Sequence, residues 1–197
     1  MIELWHGGTR WEGPPEVRGP KQGKYECGPG IYLTTRYLRA RDYARGSKVT
    51  TLVTLADDIR WLEKTKLPLK ELIEYAKTAP RLPKRARDNV VAYLLRDPEG
   101  NERELDSLQD VTRLVNLLIN EEALAGQPGV HLAEWLTSKG IDASLHTPMS
   151  QEQWVIVFNP KVIRKHRVVP ASQVDLSQYE LPTIELPKGA IIKETTQ

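Results

Sequence analysis

Only one cysteine, Cys27, and one phenylalanine occur in the 197 residues. A lone thiol builds neither an internal disulfide framework nor a multi-thiolate zinc or iron–sulfur site, which excludes the small disulfide-stapled scaffolds and most metal-cluster proteins. Excess charge of one sign is also missing. With 28 Lys and Arg against 26 Asp and Glu, the formal net charge is +2, too little by itself to argue for a nucleic-acid partner. No stretch approaches the roughly 20 apolar residues of a membrane span, and the N-terminal region holds no apolar signal segment. The expected location is the cytoplasm, with no membrane partner. What is present is an ordinary globular composition, 40% hydrophobic and 27% charged, enough to bury a core in one domain with an appended lobe. Aromatic usage is lopsided, with five Trp and seven Tyr beside the single Phe.

Ile2 to His6 reads as a short strand running into Gly7-Gly8. Residues 11 to 30 are dense in Gly and Pro and read as a long loop, a segment that in a compact domain is usually functional or mobile. Ile31 to Thr34 is a second strand. A helix over Arg36 to Arg45 follows, with Thr34 or Thr35 as its cap and Gly46 as its stop. Lys48 to Leu55 alternates and is β-branched, which makes a third strand.

From Asp57 to Gly126 the period becomes helical: Leu69, Leu72, Ile73 and Ala76, then Val90, Val91, Leu94 and Leu95, then Leu108, Val111, Leu114, Val115 and Leu118. A further helix carries Val130, Ala133 and Leu136, and Ile141 to His146 is strand-like. Trp154 to Phe158 is apolar on both faces and belongs at the centre of a sheet. Val162 to Val169 adds another strand, and beyond Pro170 the chain reads as extended or loosely attached. The expectation is an α+β chain with a domain over 1–170, a helical insert over 57–126 and an extended tail over 171–197.

Three features fall in order: Leu4-Trp5-His6-Gly7 at the end of the first strand, Gly28-Pro29-Gly30-Ile31-Tyr32 at the second, and Tyr43 after ten intervening residues. Together they resemble the NAD-binding half of the ADP-ribosyltransferase fold, in its diphtheria-toxin-like and poly(ADP-ribose)-polymerase-like branch. The resemblance implies two small, mostly antiparallel sheets forming a split cleft, the helical lobe being inserted into that split β-sandwich. It also implies that the main chain of Gly7 pairs with the nicotinamide carboxamide, that His6 hydrogen-bonds the adenosine-side ribose, and that Tyr32 and Tyr43 sandwich the pyridinium ring, an arrangement π-faces favour. The loop over residues 11 to 30 would lie above the cofactor as a lid, with Arg10 or Lys21 as phosphate partners. Lys21 also reads as a solvated loop charge. Many relatives carry serine or threonine after histidine-glycine; here Gly8 stands there, and Thr9 either substitutes from a shifted backbone or is a loop residue.

Trp135-Leu136, Gly140 to Ala143 and Gln153 to Pro160 look like the family's closing helix and third-motif strand, which in the family opens with a catalytic glutamate. That carboxylate binds the 2′-hydroxyl of the nicotinamide ribose and stabilises an oxocarbenium-like transition state. Glu152 is the one carboxylate in reach, whereas Gln153 directly precedes the aromatic residue. Alternation puts them on opposite faces, and either fills the position. His131, His146 and His166 lack metal-ligand spacing with one another.

Arg36, Arg39, Arg41 and Arg45, then Arg81, Lys84, Arg85 and Arg87, then Arg164, Lys165 and Arg167 form basic clusters. They read as solvated faces or as contacts for a nucleic-acid acceptor. The resemblance covers residues 1 to 55 and 128 to 169. It implies a mono-ADP-ribosyltransferase of the toxin or effector kind that uses NAD as substrate, needs no metal, modifies a protein or nucleic acid, and can have an antitoxin or inhibitor protein as partner. The alternatives are an NAD glycohydrolase and a non-catalytic NAD- or ADP-ribose-binding module.

Overall fold

The computed structural model describes residues 1–19, 27–44, 49–148 and 152–189 and the backbone of 191–192. Pro20, Lys21, Gly23, Arg45, Gly46 and Lys48 lie outside the described residues. The chain is mixed α+β and its main sheet is antiparallel throughout. Six strands form that sheet: β1 (Ile2–Gly7), β2 (Ile31–Thr34), β3 (Val49–Leu55), β6 (Ala143–His146), β7 (Trp154–Val157) and β8 (Ile163–Pro170), in the order β6-β7-β2-β1-β3-β8. The two-sheet expectation takes a different form here, because the core strands join into one sheet with a weak seam. Six residue pairs join β1 to β3 and four join β2 to β7, but β1 meets β2 only at Trp5 and Thr34.

The short helix α1 (Tyr37–Tyr43) lies against β1 and buries Tyr37 and Ala40 with Trp5, Leu52 and Val169. Seven residues are too few for a helix to hold in isolation, so this packing fixes it. The approach is close enough that a Cβ on Gly7 would fall 1.7 Å from the Ala40 carbonyl oxygen, and only glycine fits. Neither threonine caps α1: its N-cap is Arg36, whose N–H reaches Thr34 Oγ1 at 3.1 Å, while Thr35 Oγ1 accepts from Gln153 N–H at 3.0 Å.

The insert holds α2 (Leu69–Thr78), α3 (Lys84–Leu95) and α4 (Val111–Asn120), with two short strands, β4 (Thr65–Pro68) and β5 (Leu108–Asp110), that periodicity did not reveal. Leu108 is accordingly in β5 and not in a helix. Helix α5 (Gln127–Ser138) buries Gly129, Leu132, Ala133 and Leu136, a stripe slightly rotated from the expected one, with Val130 only half-buried. The buried faces of α2, α3, α4 and α5 share one core with Ile156 and Phe158, so the insert packs on the sheet and is not a separate body.

The described part of the tail, expected to be extended or loosely attached, holds two short 3₁₀ turns, Ala171–Gln173 and Leu176–Gln178, and is firmly tied. Trp5 Nε1–H donates to the Gln178 carbonyl at 2.8 Å, Tyr37 N–H to the Tyr179 carbonyl and Leu181 N–H to the Thr35 carbonyl. Strand β9 (Ile191–Ile192) then pairs parallel to β4 in a small sheet of order β5-β4-β9.

Candidate functional site

A cavity of about 410 Å³ opens at the seam between β1 and β2, within the range typical of small-molecule sites, about 300–1,000 Å³. Trp5, His6 and Gly7 line it from one strand, and Gly30, Ile31, Tyr32, Leu33 and Thr34 from the other. β1 and β2 pair only at Trp5 and Thr34, and the residues that line the cavity lie along that parting. Helix α1 contributes Arg39, Ala40 and Tyr43, strand β7 contributes Trp154, and the Gly/Pro loop contributes Trp11, Glu16 and Arg18.

His6 stands in the parted ladder. Its Nδ1 lies 3.0 Å from the Tyr32 carbonyl oxygen, so Nδ1–H donates and the side chain bridges a seam that backbone pairs leave open. The ring stacks on Trp11 at 4.6 Å between centroids and 27° between planes. Burial pushes the His6 pKa down, only partly opposed by the Tyr32 carbonyl, and holds the imidazole neutral. Nε2 is then an acceptor. A Cβ on Gly8 would come within 3.0 Å of that atom, so the glycine keeps the space beside Nε2 clear.

Tyr32 is held by its hydroxyl, which donates to the Gly28 carbonyl at 2.6 Å and accepts from Cys27 N–H at 3.2 Å. Tyr43 ends α1 with 54% of its surface exposed, and both tyrosines border the same cavity. Thr9 and Arg10 are exposed and outside the cavity wall.

Register decides which face each third-motif candidate occupies. Thr34 pairs with Trp154 and Tyr32 with Ile156, which puts Trp154, and Glu152 two residues before it, on the face of Tyr32 and Thr34. Glu152 lies behind the wall that Arg39 and Trp154 make, its side chain only 1% exposed. Its Oε1 accepts from Arg39 Nε at 2.8 Å and from Trp154 Nε1 at 3.0 Å, while Oε2 is buried with no hydrogen-bond partner. A buried carboxylate oxygen without a donor is costly. Gln153 points the other way. Its Nε2–H donates to the Ile184 carbonyl at 3.0 Å and its Oε1 accepts from Ile184 N–H at 2.5 Å, so the amide clamps the tail and is used up there.

Of the described basic residues in the three clusters, Arg39 alone borders the cavity. Arg87 donates to the carbonyls of Ala79 and Leu82, which is a structural role within the insert. Arg39 was legible in principle, since it precedes Tyr43 by four residues and shares its helix face. Trp11, Glu16 and Arg18 carry no such signal beyond an aromatic and two charges in a Gly/Pro loop. Among the described residues no group of three or more His, Cys, Asp or Glu side chains is placed to hold a metal ion, and no helix is long and apolar enough to cross a membrane. No protein-family model matches the chain, and no curated protein or solved structure matches it.

Proposed function

We propose that the chain is an NAD-dependent mono-ADP-ribosyltransferase that passes ADP-ribose to a macromolecular acceptor. The observation that carries the reading is the parted β1/β2 seam, with His6, Gly7, Tyr32 and Tyr43 on its walls and the unsatisfied Glu152 Oε2 behind them. The residues present fit the cofactor substrate in kind. Two phenol rings suit a cationic ring, a neutral imidazole nitrogen suits a ribose hydroxyl, and Arg18 on the cavity wall suits the pyrophosphate in place of Arg10.

In this reading the C1′–nitrogen bond breaks with its electron pair leaving on neutral nicotinamide, and the acceptor's oxygen or nitrogen bonds C1′ and releases its proton to solvent. Glu152 accepts a hydrogen bond from the 2′-hydroxyl and its negative charge stabilises the positive sugar in the transition state. That contact requires the Arg39 side chain, 38% exposed, to swing off the carboxylate when the sugar enters. The toxin or effector role belongs to the same proposal, on the family resemblance alone.

Labelled NAD added to a whole lysate, followed by separate protease and nuclease digestion, tests it. Label on a macromolecule, destroyed by one of the two treatments, supports transfer and identifies the acceptor class. Rapid stoichiometric nicotinamide release from NAD alone assigns water as the acceptor and overturns the transferase reading. Unchanged NAD affinity in both His6→Ala and Tyr32→Ala overturns the placement of the cofactor.

A further inference from the structure

The insert carries a second cavity of about 490 Å³, which shares no lining residue with the first. It forms where α3, the segment leading to β5, and α4 meet, and its walls include Tyr93, Arg103, Arg113, Asn116 and Asn120. Both guanidinium groups are held in place by neutral oxygens. Arg103 Nε–H donates to the Arg96 carbonyl at 3.0 Å and Nη1–H to Gln109 Oε1 at 2.7 Å. Arg113 Nη2–H donates to the same Arg96 carbonyl at 3.1 Å and to the Tyr93 carbonyl at 2.9 Å. Two positive groups thus converge on one oxygen atom.

Among the described residues neither arginine forms an ion pair; Asp110, the acid on the same wall, faces Lys66 at 3.6 Å. Burial and the charge of Arg103 push the Arg113 pKa down, as expected of like charges with no counterion. Rigid guanidinium forks with donors to spare, in a polar cavity, are the usual means of binding a phosphate. The Tyr93 ring lines the same cavity with 59% of its surface exposed, a flat apolar face beside the charge.

We propose that this cavity binds the phosphate ester of a nucleotide, the oxygens on Arg103 and Arg113 and the base against Tyr93. The inference is independent of the reading of the β1/β2 seam. The ligand is either a free nucleotide or a unit of a single-stranded nucleic acid, which present the same phosphate and base.

Calorimetric titration of the full chain with inorganic phosphate, AMP and a short oligothymidylate tests the proposal. The nucleotide probes bind more tightly than phosphate, and Arg103→Gln and Tyr93→Ala each weaken them about tenfold, the effect of one lost charge-assisted or stacked contact. Tighter binding of the oligothymidylate identifies nucleic acid as the source, and equal or tighter binding of AMP identifies a free nucleotide. No binding of either nucleotide, or equal affinity in parent and both variants, overturns the proposal. Should Arg103→Gln lower the thermal midpoint steeply, Tyr93→Ala decides alone, because the ring it removes is exposed.

Discussion

Burial keeps the His6 imidazole neutral, and the direction of that effect sets a pH dependence. The folded-state pKa lies below the ordinary histidine value, so the unfolded chain takes up the proton more readily. Stability present above the histidine range is lost as pH falls through it. Thermal melts across that range should show a falling midpoint whose slope is shallower in His6→Asn. Glu63 behaves in the opposite sense. Burial raises its carboxyl pKa against the hydrogen bonds from Ser144 and the Leu145 N–H, and its Oε2 is buried without a partner. Its contribution is fully present below the ordinary carboxylate pKa and lost as pH rises through the folded value. Glu63→Gln keeps an acceptor for both donors and removes the buried charge, so it should raise the melting midpoint at neutral pH and leave it nearly unchanged in acid.

Glu152 tests the chemistry at the same scale. Glu152→Gln preserves an oxygen for Arg39 and Trp154, so NAD affinity should stay within a few-fold while turnover falls by about 100-fold or more, the scale of a lost electrostatic contact to a transition state. Single-turnover nicotinamide release measures it. Arg39→Ala leaves the buried carboxylate with the Trp154 N–H alone and should cost about 1–3 kcal/mol in denaturant titration, the range for a lost partner of a buried polar group.

Helix α1 and the tail hold the seam in shape at the scale of elements. Gly7→Ala would drive a Cβ into the Ala40 backbone, and the helix that carries Arg39 and Tyr43 would have to move off β1. Denaturant unfolding should record a loss of about 3 kcal/mol, the upper part of the overpacking range, with NAD binding lost as well. The Gln153 amide ties β7 to the tail through two hydrogen bonds to Ile184, and Gln153→Ala should cost about 1–3 kcal/mol by the same measurement. The variant should leave the chemical step of the proposed reaction intact, which separates Gln153 from Glu152.

At the scale of the whole molecule, the main sheet divides the labour between its faces. Leu4, Leu33, Val53, Val155 and Val157 build a core on one face, and Ile156 and Phe158 join the helical insert on the other. Strand β8 closes one edge with exposed Arg164, Lys165 and Arg167, charges that discourage edge-to-edge pairing. A basic run that reads as a nucleic-acid contact thus has a sufficient structural reason.

Strand and helix identities were legible because alternation and helical period are local properties of side chains against solvent. Ile31 to Thr34 and the stripe of α2 fall where the pattern puts them, the stripe of α4 does so from Val111 onward, and the strand expected over Trp154 to Phe158 ends at Val157. Three-residue β5 and the rotated stripe of α5 were not legible, since tertiary packing overrides so short or so weak a pattern. The members of the candidate site were partly legible: Tyr32 and His6 sit on strands beside glycine pairs and Tyr43 ends a helix, while Arg18 and Trp11 take their places through loop path alone.

By itself the sequence determined the period of each element, the glycine at position 7 and the alternation that sets Glu152 and Gln153 on opposite faces. Only the tertiary structure decided which of those faces meets the cavity, that β1 and β2 part beyond Trp5, and that Arg39 and Glu152, 113 positions apart, form an ion pair. The reason is physical. Alternation defines two faces but carries no information on which strand lies alongside, and cross-strand register, set by packing between distant segments, assigns each face its surroundings.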